Sequence, residues 1–262
     1  MVKGKWRQML QYIKYLLTAR TKYYIHSPFV YELCELVIYD RRQYYAFDSI
    51  EALRHNLLAS EKVVEVTDFG SGSKVMSKLR EINEIAKHAT VSPKVGRLLF
   101  RLVNHFNPFN IVELGTSLGI STLYLAAANQ KATVYTIEGC PQTAKIAAQN
   151  FTALRANNIR QIIGQFEVAL PDLLTQIPQL DLVFFDGNHR AKPTLQYFEW
   201  CLNKAHDDSV FIFDDIHWSE EMTEAWTQIQ QHPKVTLTID LFRIGIVMFR
   251  TEQAKEHFKL YF

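Results

Sequence analysis

Ile111-Val-Glu-Leu-Gly-Thr-Ser-Leu-Gly-Ile-Ser-Thr122 decides how the rest of the chain is read, because a buried strand, a small-residue turn and a helix start follow one another in it without a break. Ile111, Val112 and Leu114 form a short apolar run around Glu113, and beyond the turn Leu118, Ile120, Leu123, Tyr124 and Ala127 recur at helical spacing. In the turn itself, Gly115-Thr116-Ser117-Leu118-Gly119, two glycines let the backbone fold tightly and let a ligand approach it closely. Ser121 and Thr122 fall in the first helical turn, where free N–H groups and the positive end of the helix dipole favour an electron-rich or anionic group. The stretch reads as a nucleotide-type ligand site.

Context strengthens that reading. Nineteen residues after Gly119, the apolar run Ala132 to Ile137 ends in Glu138, where a βαβ nucleotide site carries the acid that hydrogen-bonds ribose hydroxyls. A glutamate that only caps the next helix is the alternative. The pattern Glu113-x-Gly115-x-Ser117-x-Gly119 followed by Glu138 resembles the first two motifs of the class I S-adenosylmethionine-dependent methyltransferases. Ordinary dinucleotide folds usually have a glycine where Ser117 stands and lack the acid two residues before the first glycine. The resemblance implies S-adenosyl-L-methionine as cofactor, bound by Glu113, Gly115, Thr116, Ser117, Gly119, Ser121, Glu138 and Asp186, with Gly164 and Gln165 beside the adenine.

Strands and helices alternate from residue 110 on. Apolar runs near 110–114, 132–137, 159–163, 181–185 and 209–213 are separated by helical stretches, which is the pattern of a doubly wound parallel sheet. Val235 to Asp240 and Gly245 to Phe249 lie too close together for a helical crossover and must pair as a hairpin. The expected fold is α/β, a seven-stranded, mostly parallel Rossmann-like sheet with a terminal antiparallel hairpin and an N-terminal helical cap. Residues 1–90 are expected to form the cap and 91–262 the S-adenosylmethionine-binding catalytic domain. Ser92-Pro93 opens a helix just ahead of the core, as in the catechol and caffeoyl-type O-methyltransferases, and Ser27-Pro28 opens another.

Ligands of an open α/β sheet bind at the carboxyl ends of its strands. Two further ends are polar here, Asp186-Gly-Asn-His189 and Asp214-Asp-Ile-His217. Clustered carboxylates repel unless something positive sits among them. Mg²⁺ or Mn²⁺ held by Asp186, Asp214 and Asp215 is one solution; helix caps and a turn are the other. In the metal-dependent O-methyltransferases the ion is held from these places, and the Asp-Gly-x-His form resembles their macrolide-sugar branch, which implies His189 as base with Asp186. His217 is either a neighbour of the site or a core histidine.

A formal net charge of +2 and 48% hydrophobic residues give no global claim on nucleic acid or membrane. Cys34, Cys140 and Cys201, odd in number and widely spaced, argue against a disulfide framework and fit a reducing cytoplasm. No run approaches the length of a membrane span. Locally, the first 31 residues hold no Asp or Glu, while Trp6, Met9, Leu10, Ile13, Leu16 and Leu17 line one helical face among Lys3, Lys5, Arg7 and Lys14. That helix is expected to pack its apolar stripe on the catalytic domain or on a second subunit, giving a homodimer; anionic membrane and RNA phosphate are the other partners it suits. Asp68-Phe-Gly-Ser-Gly-Ser-Lys74 imitates a first motif, but no second strand with an acidic end follows it, so it is expected to be a loop that joins helices or closes over the site.

The function these features imply is O-methylation of a small hydroxylated molecule. Alternatives are methylation of an RNA nucleoside, a nicotinamide-dependent oxidoreductase and a non-catalytic cofactor-binding protein.

Overall fold

The computed structural model describes residues 2–68, 76–252 and 254–262. They divide into two compact units, one made of Met1–Asp40 with Gln179–Phe262 and the other of Arg41–Pro178.

The first unit opens with α1 (Val2–Thr18) and α2 (Pro28–Leu33), which runs on as a π-helical turn to Ile38. The Ser27 hydroxyl caps α2 by accepting from the Val30 N–H, with Pro28 in the first turn. α1 lies on its own unit through its polar side. Arg7 pairs with Glu220 at 2.7 Å, Gln8 donates to the Trp218 carbonyl, Gln11 donates to Thr223, and the Tyr15 hydroxyl donates to the Leu260 carbonyl. The expectation that its apolar stripe packs on the catalytic domain is therefore overturned: Trp6, Met9, Leu10, Ile13, Leu16 and Leu17 are all exposed.

In the second unit, α3 (Tyr45–Leu58) is followed by β1 (Val63–Asp68) and β2 (Met76–Glu81), an antiparallel pair. The sequence reading expects a loop at Asp68–Lys74 with no second strand of acidic end following it, so β2, which ends in Glu81, is a correction; residues 69–74 of the glycine loop lie outside the described residues. Then come α4 (Ile82–His88) and α5 (Pro93–Phe106). Ser92 caps α5 by accepting from the Val95 N–H, and the helix stops at Asn107, whose φ of 48° is left-handed. The parallel run is β3 (Asn110–Leu114), α6 (Ile120–Ala128), β4 (Thr133–Glu138), α7 (Pro141–Ala153), β5 (Ile159–Ile163) and α8 (Phe166–Gln176). Ile111, Val112 and Leu114 are wholly buried, each stabilising the fold by about 1.5–3 kcal/mol.

The first unit resumes with β6 (Leu180–Phe185), α9 (Ala191–Leu202), β7 (Ala205–Phe213), α10 (Glu220–Gln231), β8 (Leu237–Asp240), β9 (Gly245–Met248) and β10 (Glu256–Lys259). β6 is buried at every position, as a strand covered on both faces must be. β9 runs antiparallel to both β7 and β8, which is the expected hairpin, so β7 and β8 point the same way and end at one edge. Apart from the β1–β2 pair, the described residues hold eight strands, five in this unit and three in the other, against seven expected. β10, paired parallel to β8, is the addition.

Candidate functional site

The structure gathers the sequence-predicted residues into two sets, each within one unit. In the second unit, β3 delivers the chain into the turn, where Gly115 has φ +106° and Ser117 φ +49°. Gly119 has φ +84°, and a Cβ there would stand 2.4 Å from the Phe151 ring, so only glycine fits. Glu138, at the end of β4, grips the turn: one carboxylate oxygen accepts from the Ser117 N–H at 2.7 Å and the other from the Cys140 N–H at 2.9 Å. Burial pushes its pKa up, against the pull of these N–H donors. The Gly164 N–H donates to the Glu138 carbonyl at 2.9 Å, and Gln165 is the N-cap of α8. The register Glu113↔Thr136 and Glu138↔Ile163 therefore sets Gly115 to Gly119, Glu138 and Gly164 side by side at one strand end.

Glu113 sits behind this surface with no exposed area. One of its oxygens accepts from Thr122 at 2.5 Å and Thr136 at 2.6 Å, and Thr136 in turn shares a 2.6 Å hydrogen bond with Thr116. Its other oxygen is buried with no well-formed hydrogen bond among the described residues. Burial raises the Glu113 pKa to about 7, only partly offset by the Ser121, Thr122 and Thr136 hydroxyls. The folded state then keeps this proton up to about pH 7, whereas the unfolded chain releases it near 4.5, so stability falls as pH rises through that window and levels off above it. The Glu113→Gln protein has no such proton to lose. Denaturant titrations should show the parent losing about 3 kcal/mol relative to Glu113→Gln between the two ends of the window; parallel pH curves would show that Glu113 ionises normally.

In the first unit, Asp186 follows β6, and His189 Nε2 lies 3.8 Å from Asp186 Oδ1, with the His189 side chain about one-third exposed. Asp214 and Asp215 follow β7. Arg243, which the sequence reading missed, sits on them. Its Nε and Nη2 donate to the two oxygens of Asp214 at 3.0 and 2.9 Å, and Nε lies 3.3 Å from Asp215. Asp214 is only 2% exposed, and a planar guanidinium suits such a two-pronged pairing. Burial and Asp214 push the Asp215 carboxyl up, opposed by Arg243 and His189. The Asp214 hydrogen bonds, outweighing desolvation, hold Arg243 firmly protonated. The positive charge that three carboxylates require is thus a side chain.

Asp186, Asp214 and Asp215 fit a metal ion poorly for this reason. An ion at Asp214 would have to displace a bidentate guanidinium, and no group of three or more His, Cys, Asp or Glu side chains among the described residues is arranged as a ligand set. His217 is engaged elsewhere, with Nε2 2.9 Å from Asp240 and Nδ1 3.4 Å from Thr223. The signal that could have found Arg243 is topological: β8 ends at the same edge as β7, so the turn after Asp240 belongs with the other strand ends.

Residues 112–216 match the family described as a methyltransferase domain. Catechol O-methyltransferase of Niastella koreensis is 30% identical over 130 residues, 48% of this chain and 58% of that protein. Its Mycobacterium tuberculosis namesake is 29% identical over 128 residues, 48% of this chain and 56% of that protein. The chain thus spans a little over half the length of these relatives. Among solved structures, the O-methyltransferase TomG of Streptomyces achromogenes in complex with SAM has a TM-score of 0.58 at 20% identity, covering 84% of this chain and 95% of that one. The O-methyltransferase of Bacillus cereus in complex with SAH gives 0.55 at 19%, covering 83% and 95%. These likenesses show the fold, a Rossmann-like, mostly parallel methyltransferase sheet with its antiparallel hairpin. Segment 112–216 is thus similar to a methyltransferase domain, and the curated relatives it matches are O-methyltransferases.

Proposed function

We propose that this protein transfers the methyl group of S-adenosylmethionine to a hydroxyl of a small molecule. The observation that carries this reading is the carboxylate of Glu138 set at the carboxyl end of β4 and bonded to the Ser117 N–H of the neighbouring turn, an acceptor placed for a ribose beside a backbone that only small residues can form. The named relatives support a hydroxylated acceptor. Gly115, Thr116, Ser117 and Gly119 receive the donor; Glu113 and Ser121 hold the turn from behind; Gly164 and Gln165 take the adenine end. The acceptor oxygen attacks the sulfonium methyl in line: the O–C bond forms, the S–C bond breaks and sulfur keeps the electron pair. The hydroxyl proton passes to His189, and Asp186 stabilises the imidazolium so formed. Arg243 neutralises Asp214 and Asp215, and no step is routed through a metal ion. The three cysteines are unpaired and buried, in keeping with a reducing cytoplasm.

A panel of hydroxylated metabolites incubated with methyl-labelled donor tests this reading. Label should pass to a hydroxyl of one acceptor class, at a rate that exhaustive chelation leaves within a few-fold. No transfer to any hydroxyl would overturn it. Transfer lost on chelation and restored by Mg²⁺ would mean that an ion displaces Arg243 from Asp214.

A further inference from the structure

The amphipathic helix α1 is mounted backwards for a helix that serves a protein core. The side with Arg7, Gln8, Gln11 and Tyr15 meets the body of its unit. The opposite side, Trp6, Leu10, Ile13 and Leu17 at i, i+4, i+7 and i+11, faces outward, with Trp6 60%, Leu10 61% and Leu17 82% exposed. A contiguous apolar stripe of this kind on a protein surface marks a docking face. We propose that α1 seats the protein on an anionic lipid surface, lying in the plane of the headgroups.

Two observations select lipid over a second copy of the chain, and a third bears on how the helix would lie. First, the segment itself holds no acid before Glu32, and although Arg7 and Lys22 pair with Glu220 and Glu35, the other cations beside the stripe are not neutralised from within it. Lys14 is exposed and makes no ion pair among the described residues, and Arg20 is exposed too. Two copies of α1 packed stripe to stripe would bring like charges together, whereas anionic headgroups would neutralise them. Second, shortly after the end of α1 in sequence, Tyr23 and Tyr24 are 78% and 65% exposed. Lys22 and Arg20 lie over these rings at 5.3 and 5.4 Å. Hydroxyl-tipped aromatics beside long cationic side chains suit the boundary between water and hydrocarbon. Third, no helix among the described residues is long and apolar enough to cross a membrane, so α1 would lie on the surface.

Flotation of the full chain with phosphatidylcholine vesicles, with and without about 30% phosphatidylglycerol, tests the proposal. The parent should float with the anionic vesicles, stay behind with the neutral ones, and be released as salt rises from about 0.1 to about 0.5 M. The Leu10→Glu/Leu17→Glu double variant alters only exposed side chains, so it should keep the parent's thermal stability. Its partition should fall more than about tenfold, and Lys14→Glu should cost about tenfold. A parent that fails to float with anionic vesicles overturns the proposal. If that parent also sediments as a dimer that the double variant dissociates, the face belongs to a second copy of the chain.

Discussion

His189→Ala should lower methyl-transfer turnover by about 10²–10⁴-fold while leaving cofactor affinity within a few-fold of the parent. His189 follows β6 by four residues, partly exposed, with its Nε2 3.8 Å from Asp186 Oδ1. An aliphatic hydroxyl is too weak an acid to ionise unaided at neutral pH, so a base must take the proton as the O–C bond forms. Asp186 lies beside the ring that takes the proton, and Arg243 is already paired with Asp214 and Asp215. Steady-state rates with an identified acceptor, together with donor affinity, check both. A variant within a few-fold of the parent would make His189 a bystander. His217 would be a poor substitute, since Asp240 and Thr223 already engage its two nitrogens.

Glu138→Ala should weaken binding of S-adenosylmethionine or its demethylated product by more than about tenfold, because loss of a charged acceptor costs about 1.5–3 kcal/mol. The structure adds a second loss in the same direction: the Ser117 and Cys140 N–H groups that Glu138 now satisfies would be left without it, loosening the turn. Since burial raises the Glu138 pKa, the parent's affinity should begin to fall, as pH is lowered, above the usual carboxylate range. Calorimetry that finds equal affinity in the variant would remove Glu138 from the site.

Much of the fold is legible because buried parallel strands are apolar runs of fixed length. β3, β4, β5 and β6 fall within a residue or so of the sequence reading, and β8–β9 follows from spacing alone. The strands missed are of another kind. In β2, Leu79 is 76% exposed, and β10, Glu-His-Phe-Lys, carries three polar residues in four; a strand without a fully buried face leaves no apolar period to read. α1 shows a different limit. Its amphipathicity is plain in sequence, but periodicity says only that a helix has two sides, and the donors of Arg7, Gln8 and Gln11 decided which one meets the protein. At the site, each strand-end acid was legible from topology, whereas Arg243 lies in a hairpin turn of no recognisable motif. The carboxylates call for a cation, and the one that meets them is the Arg243 guanidinium.

Titration of the parent protein with S-adenosylhomocysteine in a calorimeter tests the central claim most directly, because it needs neither an acceptor nor a variant. The account predicts saturable binding of one molecule per chain, with no heat from a nicotinamide dinucleotide under the same conditions. Binding of the dinucleotide in place of S-adenosylhomocysteine, or no binding of S-adenosylhomocysteine at all, would contradict it.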